Sequence, residues 1–231
     1  MALAQFTAAQ RRTEKWLDAN CDSYMLYGPI SPLYWSERCR IIAVNMEPYG
    51  YEECDPSKLT RDTLIGWLRD AGGTRTRTVR YTMALMHVTR DCVLNGIEPT
   101  EDGFRRAYRD EDLLIETLDR TTYYNLRAES NCDIKQDYAA ICAVGSSGAG
   151  ALIWNEIRAL EPAVLLISGR AGFQALNGMA KLDPALEFRG AREHEEGFLM
   201  RSIAHPSRPS YSDWCDVALD VKRWWHSRAN A

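Results

Sequence analysis

Glu47, Asn125 and His205 each follow a short apolar or β-prone run, and their side chains could do chemistry together. A carboxylate held at a pocket mouth beside Pro48 and Tyr49 could activate a water or stabilise a developing cation. A histidine ahead of Pro206 and Ser207 could donate a hydrogen bond to a departing group. An asparagine after a β-prone run could read an amide-like ligand through its paired donor and acceptor. Each residue also has a plainer reading: a solvated loop acid, a structural histidine, a turn residue. What joins them is their shared position at the ends of different strands.

The runs that must position them are Arg40–Val44, Thr121–Tyr124, Ala163–Ile167 and Phe198–Ala204, all short and apolar or β-prone. Helical patterning fills the intervals. Residues 1–20 form an amphipathic segment, and residues 21–38 an irregular lead-in. Residues 57–119 are mostly helical, with Leu59, Leu64, Trp67 and Leu68 at helical spacing and a break at Ala71-Gly72-Gly73. Residues 135–160 are helical with an interruption at Gly145 to Gly150, and Ser212–Arg228 closes the chain as a helix. Strands alternating with helical crossovers predict a three-layer α/β/α domain around a central parallel sheet of about four strands. In such sheets ligands bind beyond the carboxyl ends of the strands. There the chain carries Asn45 to Tyr49, Asn125, Ser168-Gly169 and His205 to Ser207.

The 231 residues suit one domain, residues 1–231, with a helical insertion at about 57–119. Hydrophobic residues at 45% and charged residues at 26% exclude a disordered chain, a collagen repeat and a coiled coil. The formal charge is 28 − 32 = −4, so any nucleic-acid face must be a local patch. Arg75, Arg77 and Arg80 lie among threonines, Arg120 and Arg127 flank the Asn125 strand, and Arg201 and Arg208 flank the His205 strand. Arg with Thr suits phosphate contacts, and a solvated loop or a helix start capped by Thr78 is the equal alternative. Glu193-His194-Glu195-Glu196 is expected to be a solvated turn. No segment approaches the roughly 20 apolar residues of a membrane span, and the first residues lack the apolar core of a signal peptide. A cytoplasmic protein without a membrane partner is therefore expected. The seven cysteines are scattered with no Cys-x-x-Cys pair, so free thiols and no required metal are expected, although four could converge on an iron–sulfur cluster.

Asn45-Met46-Glu47-Pro48-Tyr49, with His205-Pro206-Ser207 following 158 positions after Glu47 (205 − 47), resembles the uracil-DNA glycosylase superfamily. Tyr123-Tyr124-Asn125-Leu126 looks like that family's strand ending in Asn. Leu165-Leu166-Ile167-Ser168-Gly169 looks like its apolar strand closing in Gly. The four segments match in order, from about residue 38 onward. The resemblance implies a glycosylase that flips a base from DNA and hydrolyses its N-glycosidic bond, with no cofactor, acting as a monomer on single- or double-stranded DNA. It implies catalytic roles for Glu47, which positions water, and His205, which stabilises the departing base. Substrate contacts fall to Asn45, Tyr49, Asn125 and Gly169, and DNA contacts to Ser207, Arg208, Tyr211 and Arg127.

The departures bear on the substrate. Asn45 stands where Gly is usual, Met46 where Gln or a small residue is common, and Glu47 where Asp is usual. The duplex-inserting Leu expected after His205-Pro206-Ser207 is absent, which leaves Arg208 or Tyr211 for that place. The base could be uracil, another deaminated base or a bulky modified base of the phage type. Two other classes stay open: a hydrolase of free nucleosides sharing the sheet, and a non-catalytic nucleic-acid-binding module. A positive surface around Asn125 and His205 would favour DNA over a free nucleoside, and a pocket too shallow for a base would favour the module.

Overall fold

The computed structural model describes residues 2–21, 28–45, 61–69, 74–126, 138–205 and 210–229. The chain opens with α1 (Ala2–Asn20) and a one-turn α2 (Leu33–Ser36), then enters β1 (Ile41–Asn45). Four helices follow: α3 (Arg61–Arg69), α4 (Thr74–Leu94), α5 (Glu101–Arg109) and α6 (Glu111–Arg120). Next come β2 (Thr122–Asn125), α7 (Tyr138–Val144), α8 (Gly148–Ala159), β3 (Val164–Ser168) and α9 (Arg170–Ala180). A short β4 (Ala191–Glu193), β5 (Leu199–Ile203) and α10 (Tyr211–Ala229) complete the chain.

The five strands form one sheet in the order β2-β1-β3-β5-β4. β2, β1, β3 and β5 are parallel, and β4 joins the edge antiparallel to β5. The four expected strands are all present, each within one residue of its anticipated ends. Every residue of β1, β3 and β5 is buried, which is the mark of a parallel sheet covered on both faces. A right-handed crossover fixes which face each helix covers. The chain moves one way from β1 to β2 and the other way from β2 to β3, so the intervening helices take opposite faces. Accordingly α4 packs on α5, α6 and α10, while α8 packs on α1 and α9, and α7 on α9.

Local chemistry starts several of these helices. Thr100 accepts a hydrogen bond from the Gly103 amide at 3.0 Å, Asp110 from Leu113 at 3.1 Å and Ser147 from Gly150 at 3.0 Å. These N-caps satisfy amides that the helix cannot, and Glu101, Asp102, Glu111 and Asp112 add negative charge to the positive first turns.

The run at Glu193 corrects the sequence reading. Glu193 ends β4, and only Glu195 and Glu196 form the exposed turn. His194 is buried, its ring stacked on Phe198 at 4.5 Å and edge-on to Trp154 at 5.5 Å. Two aromatic neighbours outweigh the polar context that the sequence presents. β4 itself is three residues long, too short for alternation to reveal.

The α7–α9 contact depends on absent side chains. A Cβ on Gly145 would lie 2.5 Å from the Ala175 carbonyl oxygen, and one on Gly178 would lie 2.9 Å from the carbonyl oxygen of Gly145. Backbone, unlike the tip of a flexible side chain, cannot give way cheaply. Gly145→Ala should therefore destabilise the fold by about 1–3 kcal/mol, as overpacking does. Urea unfolding checks this, and an unchanged midpoint would count against the close approach.

Candidate functional site

The strand register brings three polar side chains into one row. Asn45 aligns with Asn125, Val44 with Ile167, and Ser168 with Ile203. Asn45 therefore lies between Asn125 and Ser168 at the carboxyl edge of β2, β1 and β3. Residues at the same level of parallel strands share a face. Asn45 and Asn125 are each 2% exposed and Ser168 is 0% exposed. Among the described residues, no hydrogen-bond partner reaches Asn45 Nδ2, Asn45 Oδ1, Asn125 Oδ1 or Ser168 Oγ. Each unsatisfied buried group costs about 1–3 kcal/mol, so native proteins pair the large majority of such atoms. This row concentrates a donor, two acceptors and a hydroxyl that the described residues leave unused.

The row also sits at the topological switch point. The connection after β1 runs toward β2 and the connection after β3 runs toward β5, so the two depart in opposite directions. A crevice between diverging connections is where ligands bind in open α/β sheets. Backbone bonds hold its walls. The Leu126 amide donates to the Asn45 carbonyl at 3.0 Å, extending the β2–β1 pairing beyond Asn125. The Gly169 amide donates to the Ile203 carbonyl at 2.9 Å, and its φ of +74° turns the chain into α9. That backbone region favours glycine. His205 is half-buried two residues beyond β5. β5 lies three strand spacings from β2, about 14 Å at about 4.8 Å each, so a ligand between Asn125 and His205 would span the crevice.

The other residues singled out by the sequence divide three ways. Glu47, Tyr49, Arg127, Ser207 and Arg208 lie outside the described residues. Tyr211 opens α10 half-buried, edge-on to Trp214 at 5.7 Å, with the Arg105 guanidinium 4.7 Å from its ring centroid. Burial and a hydrogen bond with Tyr81 hold its phenol above the ordinary tyrosine range. Three arginines weighed as phosphate contacts are structural instead. Arg80 is buried, donates to the backbone carbonyls of Leu68 and Tyr108, and lies 5.2 Å from the Tyr108 ring centroid. Arg120 pairs with Glu37 at 2.7 Å and Glu116 at 3.0 Å. Arg201 is buried, bonds Asp220 at 2.9 Å and donates to the Ser202 carbonyl at 2.8 Å. Among the described residues, no three His, Cys, Asp or Glu side chains gather as metal ligands. None of their helices is long and apolar enough to cross a membrane.

One buried acid was missed by the sequence reading. Glu156 on α8 is fully buried and accepts a hydrogen bond from the Tyr124 hydroxyl, while its Oε1 has no partner among the described residues. Tyr124 immediately precedes Asn125 and points to the opposite face of the sheet, so this bond anchors the end of β2 from below. The signal was available: Glu156 lies on the same helical stripe as Ile153, Ile157 and Leu160. Burial pushes the Glu156 carboxyl group up to about 7, against the opposing pull of hydrogen bonds from Thr13 and Tyr124 and the charge of Arg12.

A scan against protein-family models matches none, and a search of curated proteins finds no significant match.

Two predictions follow from these buried groups. Asn45→Leu, which replaces an unpartnered amide with an apolar group of similar shape, should stabilise the unliganded protein by about 1 kcal/mol. A lower urea midpoint would instead show that the amide is satisfied. The folded state keeps a proton on Glu156 that the unfolded chain releases near 4.5. Stability should therefore fall as pH rises from about 4.5 to about 7 and level off above. Glu156→Gln should remove this component, on the order of 3 kcal/mol, as read by urea unfolding at pH 5 and pH 8. Parallel pH profiles in the two proteins would contradict it.

Proposed function

We propose that the protein is a DNA glycosylase that takes a flipped base into the crevice beside Asn45, Asn125 and Ser168 and hydrolyses its N-glycosidic bond. The observation that carries this reading is the row of buried, unpartnered amide and hydroxyl atoms at the switch point. A nucleobase edge presents adjacent donors and acceptors, which is what such a row lacks. The order of the sequence segments around Glu47, Asn125 and His205 adds the resemblance to uracil-DNA glycosylases.

The chemistry assigns a task to each side chain. Breaking the bond builds positive charge on the sugar and negative charge on the base. Glu47 stabilises the sugar cation and positions the attacking water, and Tyr49 screens the base. His205 donates to the oxygen of the departing base. Asn125 reads the base edge, with Asn45 beside it and Gly169 allowing close approach at the end of β3. The base must leave the stack to reach these groups. Ser207, Arg208, Tyr211 and Arg127 are assigned to the strand that carries it, and a monomer suffices.

A hydrolase of free nucleosides is the second reading. It is favoured by the inward engagement of Arg80, Arg120 and Arg201 and by the net charge of −4. Single-turnover base release from single- and double-stranded oligonucleotides across a panel of bases, run beside the free nucleosides, separates the two. Glu47→Gln and His205→Ala should each lower base release from DNA by roughly 10²–10³ while leaving thermal unfolding unchanged. Asn125→Asp should change which base is accepted, because it exchanges an amide donor for an acceptor. Full activity in both Glu47→Gln and His205→Ala would refute the assigned roles, and release from nucleosides alone would establish the second reading.

A further inference from the structure

We infer that Arg170, Phe173, Phe188 and Arg189 form a cationic aromatic ledge that binds an unpaired stretch of nucleic-acid strand beside the crevice. This rests on the glycosylase reading for the class of partner, and it adds a surface that none of the site residues above includes.

The ledge is built from two elements that meet at the same edge of the sheet. Arg170 is the first residue of α9, two positions beyond Ser168, and Phe173 lies one turn further along. Phe188 and Arg189 come from the segment leading into β4. Because β4 runs antiparallel to β5, the residues before Ala191 travel toward the carboxyl end of β5. The Ser202 amide donates to the Gly190 carbonyl at 3.0 Å, and the Arg189 amide donates to Ser202 Oγ at 3.2 Å. His205 follows Ser202 by three residues, so the ledge adjoins the His205 end of the crevice.

Its composition fits a stacked, negatively charged ligand. The Phe173 and Phe188 rings lie 5.6 Å apart with planes inclined by 31°. The Arg170 and Arg189 guanidinium carbons lie 5.3 and 5.8 Å from the Phe188 ring centroid. Both phenylalanines are half-buried, and both arginines are exposed. Arg189 is held by Asp213 at 2.9 Å. Arg170 has no carboxylate within ion-pair distance among the described residues, so its charge is unspent, unlike those of Arg80, Arg120 and Arg201. Aromatic and guanidinium planes stack on unpaired bases of any sequence, while a cation follows the phosphates. Bases within a duplex already have both faces stacked, which makes the unpaired strand the fitting partner. Glu187 and Asp213 flank the ledge and restrict the favourable charge to the Arg170 side.

The test is fluorescence anisotropy with a labelled oligothymidylate of about 10 nucleotides, within the span that single-strand binding sites cover, and with a blunt duplex of the same length. Phe188→Leu keeps an apolar contact with Phe173 and removes the stacking plane. Arg170→Gln removes the unspent charge from an exposed position. Each should weaken binding to the single strand by about tenfold with unchanged thermal unfolding. Arg170→Gln should also flatten the slope of log affinity against log salt by about 0.7, the value for one phosphate of a single strand. Wild-type affinity in either variant, failure of the unmodified protein to bind the single strand, or equal weakening on the blunt duplex would overturn the ledge. Base release reports separately on the glycosylase reading. A protein that binds through the ledge and releases no base refutes only that reading, and one that releases bases while both variants bind normally refutes only the ledge.

Discussion

All five residues of β1, of β3 and of β5 are buried, and that burial decides where polar chemistry can occur. A strand covered on both faces admits a polar side chain only where the protein supplies its partners, as Asp220 and a backbone carbonyl do for Arg201 in β5. Polar groups that could serve a ligand are left to the strand ends, where the backbone leaves the sheet and helices diverge to either side. Asn45, Asn125 and Ser168 occupy those ends in register. Their position is economical for a ligand and costly for the empty protein. Several unpartnered atoms at about 1–3 kcal/mol each are a large fraction of the 5–15 kcal/mol that holds a domain together. A ligand edge that satisfies them binds to groups already desolvated, so little of the binding energy goes to stripping water from the protein.

The two faces of the sheet treat β2 differently. Asn125 turns toward the crevice row, while Tyr124, its neighbour in the chain, turns the other way and donates to Glu156. The buried carboxyl group, raised to about 7, places a titratable anchor under the residue that the proposed chemistry uses to read the base. Protonated, Glu156 is neutral and cheap to bury. Ionised, it accepts the Tyr124 hydroxyl more strongly but carries the cost of a charge without water. The end of β2 is thus held by a bond whose strength and whose cost rise together with pH.

Strand positions were legible in the sequence because they rest on short apolar runs such as Ala163–Ile167, and β1 and β3 carry a polar residue only at their last position. The break between α7 and α8 was legible for a similar reason, since Gly145 to Gly150 interrupts an otherwise helical run. What escaped depends on partners distant in the chain. β4 exists because three residues find β5, and His194 is buried because Trp154 and Phe198 enclose its ring. The roles of Arg80, Arg120 and Arg201 were hidden for the same reason. An arginine near a strand end looks the same in sequence whether it meets a phosphate or the carboxylate of Asp220. Asn45 and Asn125 could be named from the sequence, but that the Asn45 amide and the Asn125 Oδ1 lie side by side with no partner among the described residues required the register. Glu47 and Tyr49, which carry much of the resemblance, lie outside the described residues, so their case rests on sequence alone.

Charge placement bears on how a protein of net charge −4 could hold a polyanion. Long-range attraction is unavailable, so affinity must come from contacts within about a Debye length, roughly 8 Å in physiological salt. Cations already engaged by carboxylates or backbone carbonyls inside the fold contribute little at that range, because those groups offset much of their field. That removes Arg80, Arg120 and Arg201 and raises the weight of each unspent cation near the crevice. Arg170 is such a cation, placed where α9 leaves the sheet and beside two phenyl rings. A weak overall field with a few local cations and stacking planes favours strands whose bases are free to stack over a uniform duplex. It would also make binding depend on the presence of an unpaired or easily extruded base, which is the same condition that the proposed base-flipping chemistry sets for the crevice.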